Sequence, residues 1–280
     1  MSNSNFVLAG IMGWPVAHSR SPVIHNHWIK QYGLNGSYVL LPVQPQNLSE
    51  AIRGLKALGF AGCNVTIPHK VEVLKLMDYV DPVAKEMGAV NMIVVGQSGE
   101  LRGFNTDGAG YIQSLRDVKP DWRADAGPIV VLGAGGAARA ILMSLVNEGA
   151  KEIRLINRTR SRADELAAEF GEACIKTYNW EERHEALDRA ALLVNVTNQG
   201  MHGEPPLEIH LDRLPPTAFV SDAIYIPLET DLLAKARARG NLTVNGLGML
   251  INQARPAFEA WFGIRPEVTQ ELRDALAKTF

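Results

Sequence analysis

From residue 6 onward, short apolar runs alternate with longer segments whose apolar residues recur every three or four positions, the pattern of strands feeding helices. Phe6–Met12 predicts a strand, and Ser21–Gly33 a helix with Ile24, Trp28 and Tyr32 on one face. Ser37–Val43 predicts a second strand. Leu48, Ala51, Ile52, Leu55 and Leu58 then keep helical spacing up to Gly59. Gly62–Ile67 predicts a third strand, with Pro68 opening a helix that runs to Val80, since proline suits a first helical turn. Ala89–Val95 and Leu101–Phe104 predict a hairpin turning through Ser98-Gly99.

The second half opens on Ile129–Leu132, a continuous apolar run that breaks into glycine and continues as alanines and leucines to Glu148. That order reads as strand, tight turn and helix, the start of a βαβ unit. Ile153–Asn157 predicts the next strand and Arg162–Phe170 the next helix. Leu192–Val196 and Phe219–Ala223 predict further strands, Leu232–Arg239 a helix, and Met249–Trp261 and Pro266–Lys278 two closing helices. Residues 178–190 read equally as helix or loop. There are no internal repeats or low-complexity tracts. The expected fold is α/β in two domains. Residues 1–106 form an N-terminal α/β substrate domain and 107–245 a Rossmann-type domain. Helices in 246–280 carry too little for a core of their own, so they are expected to return to the first domain.

A length of 280 residues supports two modest cores, and apolar and charged fractions of 46% and 21% are those of a globular protein. A net charge of −2 gives no reason to expect a nucleic-acid or membrane partner. Cys63 and Cys174, outside any C-x-x-C, argue against a disulfide framework or zinc ribbon, and the start MSNSNF lacks a signal peptide's regions. A cytoplasmic protein is expected. Ile129–Val146 is mostly apolar, but its glycines and Arg139 argue against a membrane span.

Gly133, Gly135 and Ala138 in GAGGAARA fit the dinucleotide fingerprint G-x-G-x-x-G/A. The first glycine permits the turn, the second lets a pyrophosphate approach the backbone, and the alanine keeps helix and sheet close. The anion then meets free N–H groups at a helix N-terminus. At the end of the following strand an NAD site usually places an acid for the ribose 2′-hydroxyl. Here stand Asn157, Arg158, Arg160 and Arg162, and guanidinium groups suit a 2′-phosphate. The expected cofactor is NADP.

Three polar clusters in the first domain sit at strand ends, where α/β sheets bind ligands. In Gly13–Pro22, Ser21 reads as a helix N-cap with Pro22 at the first helical position, while Ser19 has no such role; the pair is suited to a small carboxylate. In Asn64–Lys70, Lys70 falls in the expected helix's first turn, where the dipole disfavours a cation, and reads as a proton donor and acceptor or as a surface lysine. In Phe104–Gly108, Thr106 or Asp107 caps a helix Gly110–Val118, or Asp107 orients the Lys70 ammonium. His18, His25, His27 and His69 lack metal-ligand spacing, and no metal is expected.

With these clusters ahead of GAGGAARA, the chain resembles shikimate dehydrogenase over nearly its whole length. HSRSP, NVTIPHK, GAVN, NTDG, GAGGAARA, NRT, a D-x-x-Y-x-P-x-x-T stretch from Asp222 to Thr230, and GMLINQA occur in the family's order. The resemblance implies a two-domain oxidoreductase reducing 3-dehydroshikimate with NADPH, reversibly, in the chorismate and aromatic amino acid pathway. It implies Lys70 and Asp107 as the catalytic pair. Ser19 and Ser21, assisted by Tyr225, would hold the substrate carboxylate, and Thr66, Asn91 and Gln253 the ring hydroxyls. The family's cofactor residues map onto Gly133, Gly135, Gly136, Ala137, Asn157, Arg158, Thr159 and Arg162, with Thr197, Gly246 and Met249 toward the nicotinamide half.

Two departures stand out: Met92 follows Asn91 where the family often has threonine, and Asn198-Gln199-Gly200-Met201 follows Thr197 where serines are common. The rival readings are a quinate/shikimate dehydrogenase using NAD or both cofactors, an idle nucleotide-binding regulatory module, and a methylene-tetrahydrofolate dehydrogenase-like enzyme, whose lysine–tyrosine signature is missing. A small-molecule substrate and a monomer or homodimer are expected.

Overall fold

The computed structural model describes residues 6–280. The chain divides into two compact units, one of residues up to Thr106 with Gln253–Phe280, the other Asp107–Asn252.

In the first unit β1 (Val7–Gly13), α1 (Ser21–Gln31), β2 (Gly36–Pro42), α2 (Leu48–Ala57) and β3 (Phe60–Val65) follow the expected alternation. After them come β4 (Tyr79–Val80), α3 (Pro82–Met87), β5 (Met92–Val95) and β6 (Leu101–Phe104). The sheet order is β2-β1-β3-β5-β6-β4; β1 runs parallel to β2 and β3, and β5 antiparallel to β3 and β6. One face of α2 delivers Leu48, Ile52 and Leu55 to a core shared with Met12, Cys63 and Ile93. Cys63 is fully buried there, and desolvation pushes its thiol up to about 12.

The helix expected over 68–80 is not formed. The chain makes a turn, a 3-10 helix over Glu72–Leu76, then β4. The reason is tertiary: the Lys70 carbonyl accepts the Val90 N–H at 2.8 Å, and Asp78 and Asp81 donate to Leu101 and Gly103, each at 2.9 Å. A carbonyl committed to a distant segment cannot continue an i→i+4 ladder. Lys70 therefore stands in a turn, and the helix-dipole reasoning for its placement no longer applies. At α1, Arg20 is the N-cap and Ser21 the first helical residue; the Ser19 hydroxyl takes the Ser21 N–H at 3.2 Å.

The second unit carries α4 (Asp107–Val118), β7 (Ile129–Leu132), α5 (Gly136–Asn147), β8 (Ile153–Ile156), α6 (Arg160–Phe170) and β9 (Ile175–Tyr178). Two short 3-10 turns over Trp180–Arg183 and Glu185–Leu187 fill the stretch that read as helix or loop. Next come β10 (Leu192–Asn195), β11 (Phe219–Asp222), α7 (Asp231–Ala238), β12 (Leu242–Val244) and α8 (Gly246–Phe262), with α9 (Gln270–Ala277) closing the chain. The boundary between units falls inside α8, later than residue 245.

The sheet is parallel throughout, in the order β12-β11-β10-β7-β8-β9. Both faces are covered at its centre, which is why β7 is a continuous apolar run (IVVL) and β8 and β10 are broken only by Arg154 and Asn195. Ile129 and Val131 enter the core packed by α5, whereas Val130 and Leu132 enter the core packed by α7.

Candidate active site

In the first unit three segments converge at the ends of β1, β3 and β5. A Cβ on Gly13 would lie 2.5 Å from Thr66 Cγ2, so only glycine lets the end of β1 pass this closely beside Thr66. Trp14 N–H reaches the Ile67 carbonyl and Thr66 N–H the Met12 carbonyl, at 3.0 and 2.9 Å. The Ser19–Ser21 loop is thereby fixed to the segment carrying Thr66 and Lys70. His69 is buried, with Nε2 2.7 Å from the Val43 carbonyl, and Lys70 is half-buried.

Asn91 is buried at the centre. Its Oδ1 accepts the Thr106 N–H at 2.9 Å, its Nδ2 donates to Thr106 Oγ1 at 3.0 Å, and that hydroxyl donates to the Gln253 carbonyl at 2.8 Å. Thr106, directly before the first residue of α4, is thus a link between Asn91 and Gln253. Behind it, Tyr38 Oη donates to Asn64 Oδ1 at 2.7 Å, and Asn64 Nδ2 donates to the Asn91 carbonyl at 3.2 Å. Tyr38 and Thr106 were missed as supports; the polar alternation of Asn64 and Thr66 on a strand was the available signal. Asp107 is the first residue of α4 in the second unit.

Within the second unit, strand order reverses between β7 and β10, where parallel sheets bind ligands. Gly133 has φ +112°, and a Cβ there would lie 3.0 Å from Val196 and 3.1 Å from Thr197, so glycine is required. Gly135 and Gly136 face open space at the start of α5, and no side chain caps that helix. Ala137 is exposed beside them. Asn157 Oδ1 accepts the Ala134 N–H at 3.2 Å and its Nδ2 donates to the Thr159 carbonyl at 2.8 Å, tying the glycine loop to the basic turn.

A cavity of about 260 Å³ lies here, lined by Gly133, Gly135, Asn157, Arg158, Thr159 and Arg162, with Thr197 from the β10 loop. Trp180, not singled out by sequence, also lines it. Arg160, counted among the basic residues of this turn, is committed elsewhere: it donates to Asp164, Thr177 and Asn179 at 2.9, 2.8 and 3.1 Å. Open glycine amides, two accessible guanidiniums and no carboxylate at the strand end fit a dinucleotide bearing a 2′-phosphate.

Asp222 underlies the loop that carries Tyr225. It is buried, which raises its pKa, while bonds from Thr230, the Ile224 N–H and Asn195 lower it. Asn195 Oδ1 also accepts from the Thr197 N–H and hydroxyl, so one buried amide orders both loops. Gly246 lies against the same loop, its N–H on the Ile224 carbonyl at 2.9 Å, and a Cβ there would strike Ala223 O. Met249 is half-buried against the core.

Among the described residues, no group of three His, Cys, Asp or Glu is arranged to hold a metal, and no helix is long and apolar enough to cross a membrane.

Family models match in three places: "shikimate dehydrogenase substrate binding domain" over residues 11–93, "shikimate / quinate 5-dehydrogenase" over 119–202, and "shikimate 5′-dehydrogenase C-terminal domain" over 246–276. The shikimate dehydrogenase (NADP(+)) of Paramagnetospirillum magneticum is 52% identical over 266 residues, covering 95% of this chain and 96% of that protein. Quinate dehydrogenase from Corynebacterium glutamicum, solved with NAD, superposes with TM-score 0.91 at 30% identity, covering 98% of this chain and all of that one (100%). Shikimate 5-dehydrogenase from Thermus thermophilus, solved with NADP(H) and shikimate, gives TM-score 0.85 at 33% identity, covering 98% and 100%.

A doubly wound parallel sheet with a glycine-rich turn at its switch point, in a chain that also carries a second α/β unit, defines a two-unit protein of the Rossmann class. Within that class, the chain belongs to the shikimate dehydrogenase family.

Proposed function

We propose that the chain is an oxidoreductase acting on a CH–OH group, reversibly reducing 3-dehydroshikimate to shikimate with NADPH. The observation that carries this reading is the Asn91–Thr106–Gln253 hydrogen-bond chain, which holds two ring-binding candidates in fixed relation. The Val90 N–H fastens the Lys70 turn beside them. Residues up to Thr106 act as the substrate-binding domain with Gln253–Phe280, and the second unit as the NADP-binding domain.

Gly133, Gly135, Gly136, Ala137, Asn157, Arg158, Thr159 and Arg162 hold the cofactor, with Thr197, Gly246 and Met249 toward its nicotinamide half. The chemistry supplied by the bound cofactor is hydride exchange with the ring carbon that bears the oxygen. Lys70 gives a proton to the oxygen as negative charge develops there, and takes it back in the reverse direction. Asp107 orients the lysine ammonium. Ser19, Ser21 and Tyr225 hold the substrate carboxylate, and Thr66, Asn91 and Gln253 its hydroxyls, so that the reacting carbon is presented in one pose. The protein works in the cytoplasm on a free small molecule, as a monomer or homodimer, and two unpaired cysteines suit a reducing compartment.

Initial rates with shikimate and with quinate, each with NADP and NAD, test this reading. A strong preference for shikimate with NADP supports it. Turnover of quinate with NAD favours the alternative that the Corynebacterium neighbour represents. No turnover in any pairing leaves a nucleotide-binding module.

A further inference from the structure

The wall of the nucleotide cavity contains one large aromatic side chain with no assigned role. Trp180 is half-buried, packed on one side against the core that includes Leu187, and it lines the same cavity as Arg158, Thr159 and Arg162. Several bonds fix it in place. Asn179 and Glu182 form a capping box across the turn, with the Asn179 N–H on Glu182 Oε2 at 2.7 Å. The Arg183 guanidinium lies 4.9 Å from the indole centroid and donates to the Trp180 carbonyl and the Glu208 carbonyl, both at 2.8 Å. Arg160 explains why this turn stands beside the basic loop: from the first turn of α6 it reaches Thr177 on β9 and Asn179 directly before Trp180.

We propose that Trp180 is the adenine-binding side chain of this cavity, an inference that rests on the cofactor reading above. The two free guanidiniums are suited to a phosphate on the ribose, and the base is joined to that same ribose. A rigid aromatic group bordering the same cavity therefore meets the base. Purine bases gain substantially from stacking on indole, whatever the substituents on the sugar. Trp180 thus contributes equally to NADP and NAD, whereas Arg158 discriminates between them.

The test is a set of kinetic and fluorescence measurements on the full-length protein. Trp180→Ala is expected to raise KM for NADP and for NAD by about tenfold each, leave kcat within about twofold, and weaken inhibition by 2′,5′-ADP in parallel. Trp180→Phe keeps a ring and is expected to recover most of that loss. In wild type, 2′,5′-ADP quenches tryptophan emission, and in Trp180→Phe most of the quench disappears. Unchanged KM values in Trp180→Ala, or an undiminished quench in Trp180→Phe, overturn the proposal, the second holding even if the alanine variant fails to fold. If wild type shows no quench and no inhibition by 2′,5′-ADP, the cofactor reading falls and the assignment of Trp180 falls with it. If both occur but are indifferent to Trp180, only the present inference fails.

Discussion

The Thr230 hydroxyl donates to the buried Asp222 carboxylate at 2.7 Å, and the same oxygen accepts the Leu233 N–H at the start of α7. One side chain thus satisfies a buried anion and caps a helix. Thr230→Val removes both, at a cost of about 2–3 kcal/mol at pH 7. Burial already lifts the Asp222 pKa, and losing a donor lifts it further. A carboxyl with a raised folded-state pKa costs stability as pH climbs toward that value. The variant's deficit in urea unfolding is therefore larger at pH 7 than at pH 4.5; a deficit that grows on acidification would contradict this account.

Lys70→Ala should lower kcat by about 10²–10⁴ while the shikimate dissociation constant changes little, since proton transfer is made in the transition state and not in the ground state. Stopped-flow rates together with direct binding titration check the split. Near-normal kcat would remove Lys70 from its proposed role.

Two neighbouring arginines should behave differently. Arg158 lines the cavity, whereas Arg160 is spent on Asp164, Thr177 and Asn179. Arg158→Ala is expected to raise KM for NADP by roughly tenfold or more and that for NAD by less than twofold, the loss of charge-assisted bonds to a phosphate. Arg160→Ala should instead lower the melting temperature and raise both KM values together. Equal cofactor effects from Arg158→Ala would mean that its guanidinium does not read the 2′-phosphate.

His25 is fully buried, stacked on Tyr38 at a 4.0 Å centroid distance, and desolvation lowers its pKa from 6.5 to about 3. The unfolded chain therefore binds a proton that the native state refuses, and stability falls as pH drops below 6.5. This histidine accounts for about 2 kcal/mol of loss between pH 7 and pH 5. His25→Phe, whatever its absolute stability, should show a shallower acid slope in denaturant titrations; an unchanged slope would assign the proton uptake elsewhere.

The parallel sheet was legible because both of its faces are buried at the centre, where β7 is wholly apolar (IVVL) and β8 and β10 are mostly so (IRLI and LLVN). The glycine turn was legible because φ +112° at Gly133 admits little else. The edge strands β9 and β12 were not, being short and half polar (IKTY and LTV), with less burial to leave a pattern. Residues 68–80 misled because proline and helical spacing are local signals, whereas the Val90 bond to Lys70 that forbids the helix is tertiary. Ser19, Thr66, Asn91 and Gln253 could be named from the family's motifs. Thr106 as the link between Asn91 and Gln253 could not, because a buried hydroxyl between two chain segments and a helix leaves no periodicity. Arg160 illustrates the same limit: composition counts a guanidinium but does not reveal its partner.

The contrast between the two cysteines has a practical consequence. Cys63 is sealed in the core with its thiol pushed up to about 12, while Cys174, next to β9, is only partly covered. A maleimide applied to the native protein should therefore attach at a single place, because thiolate at Cys63 is both scarce and out of reach. Without any engineered change, the natural sequence provides a fluorophore attachment point confined to the second unit.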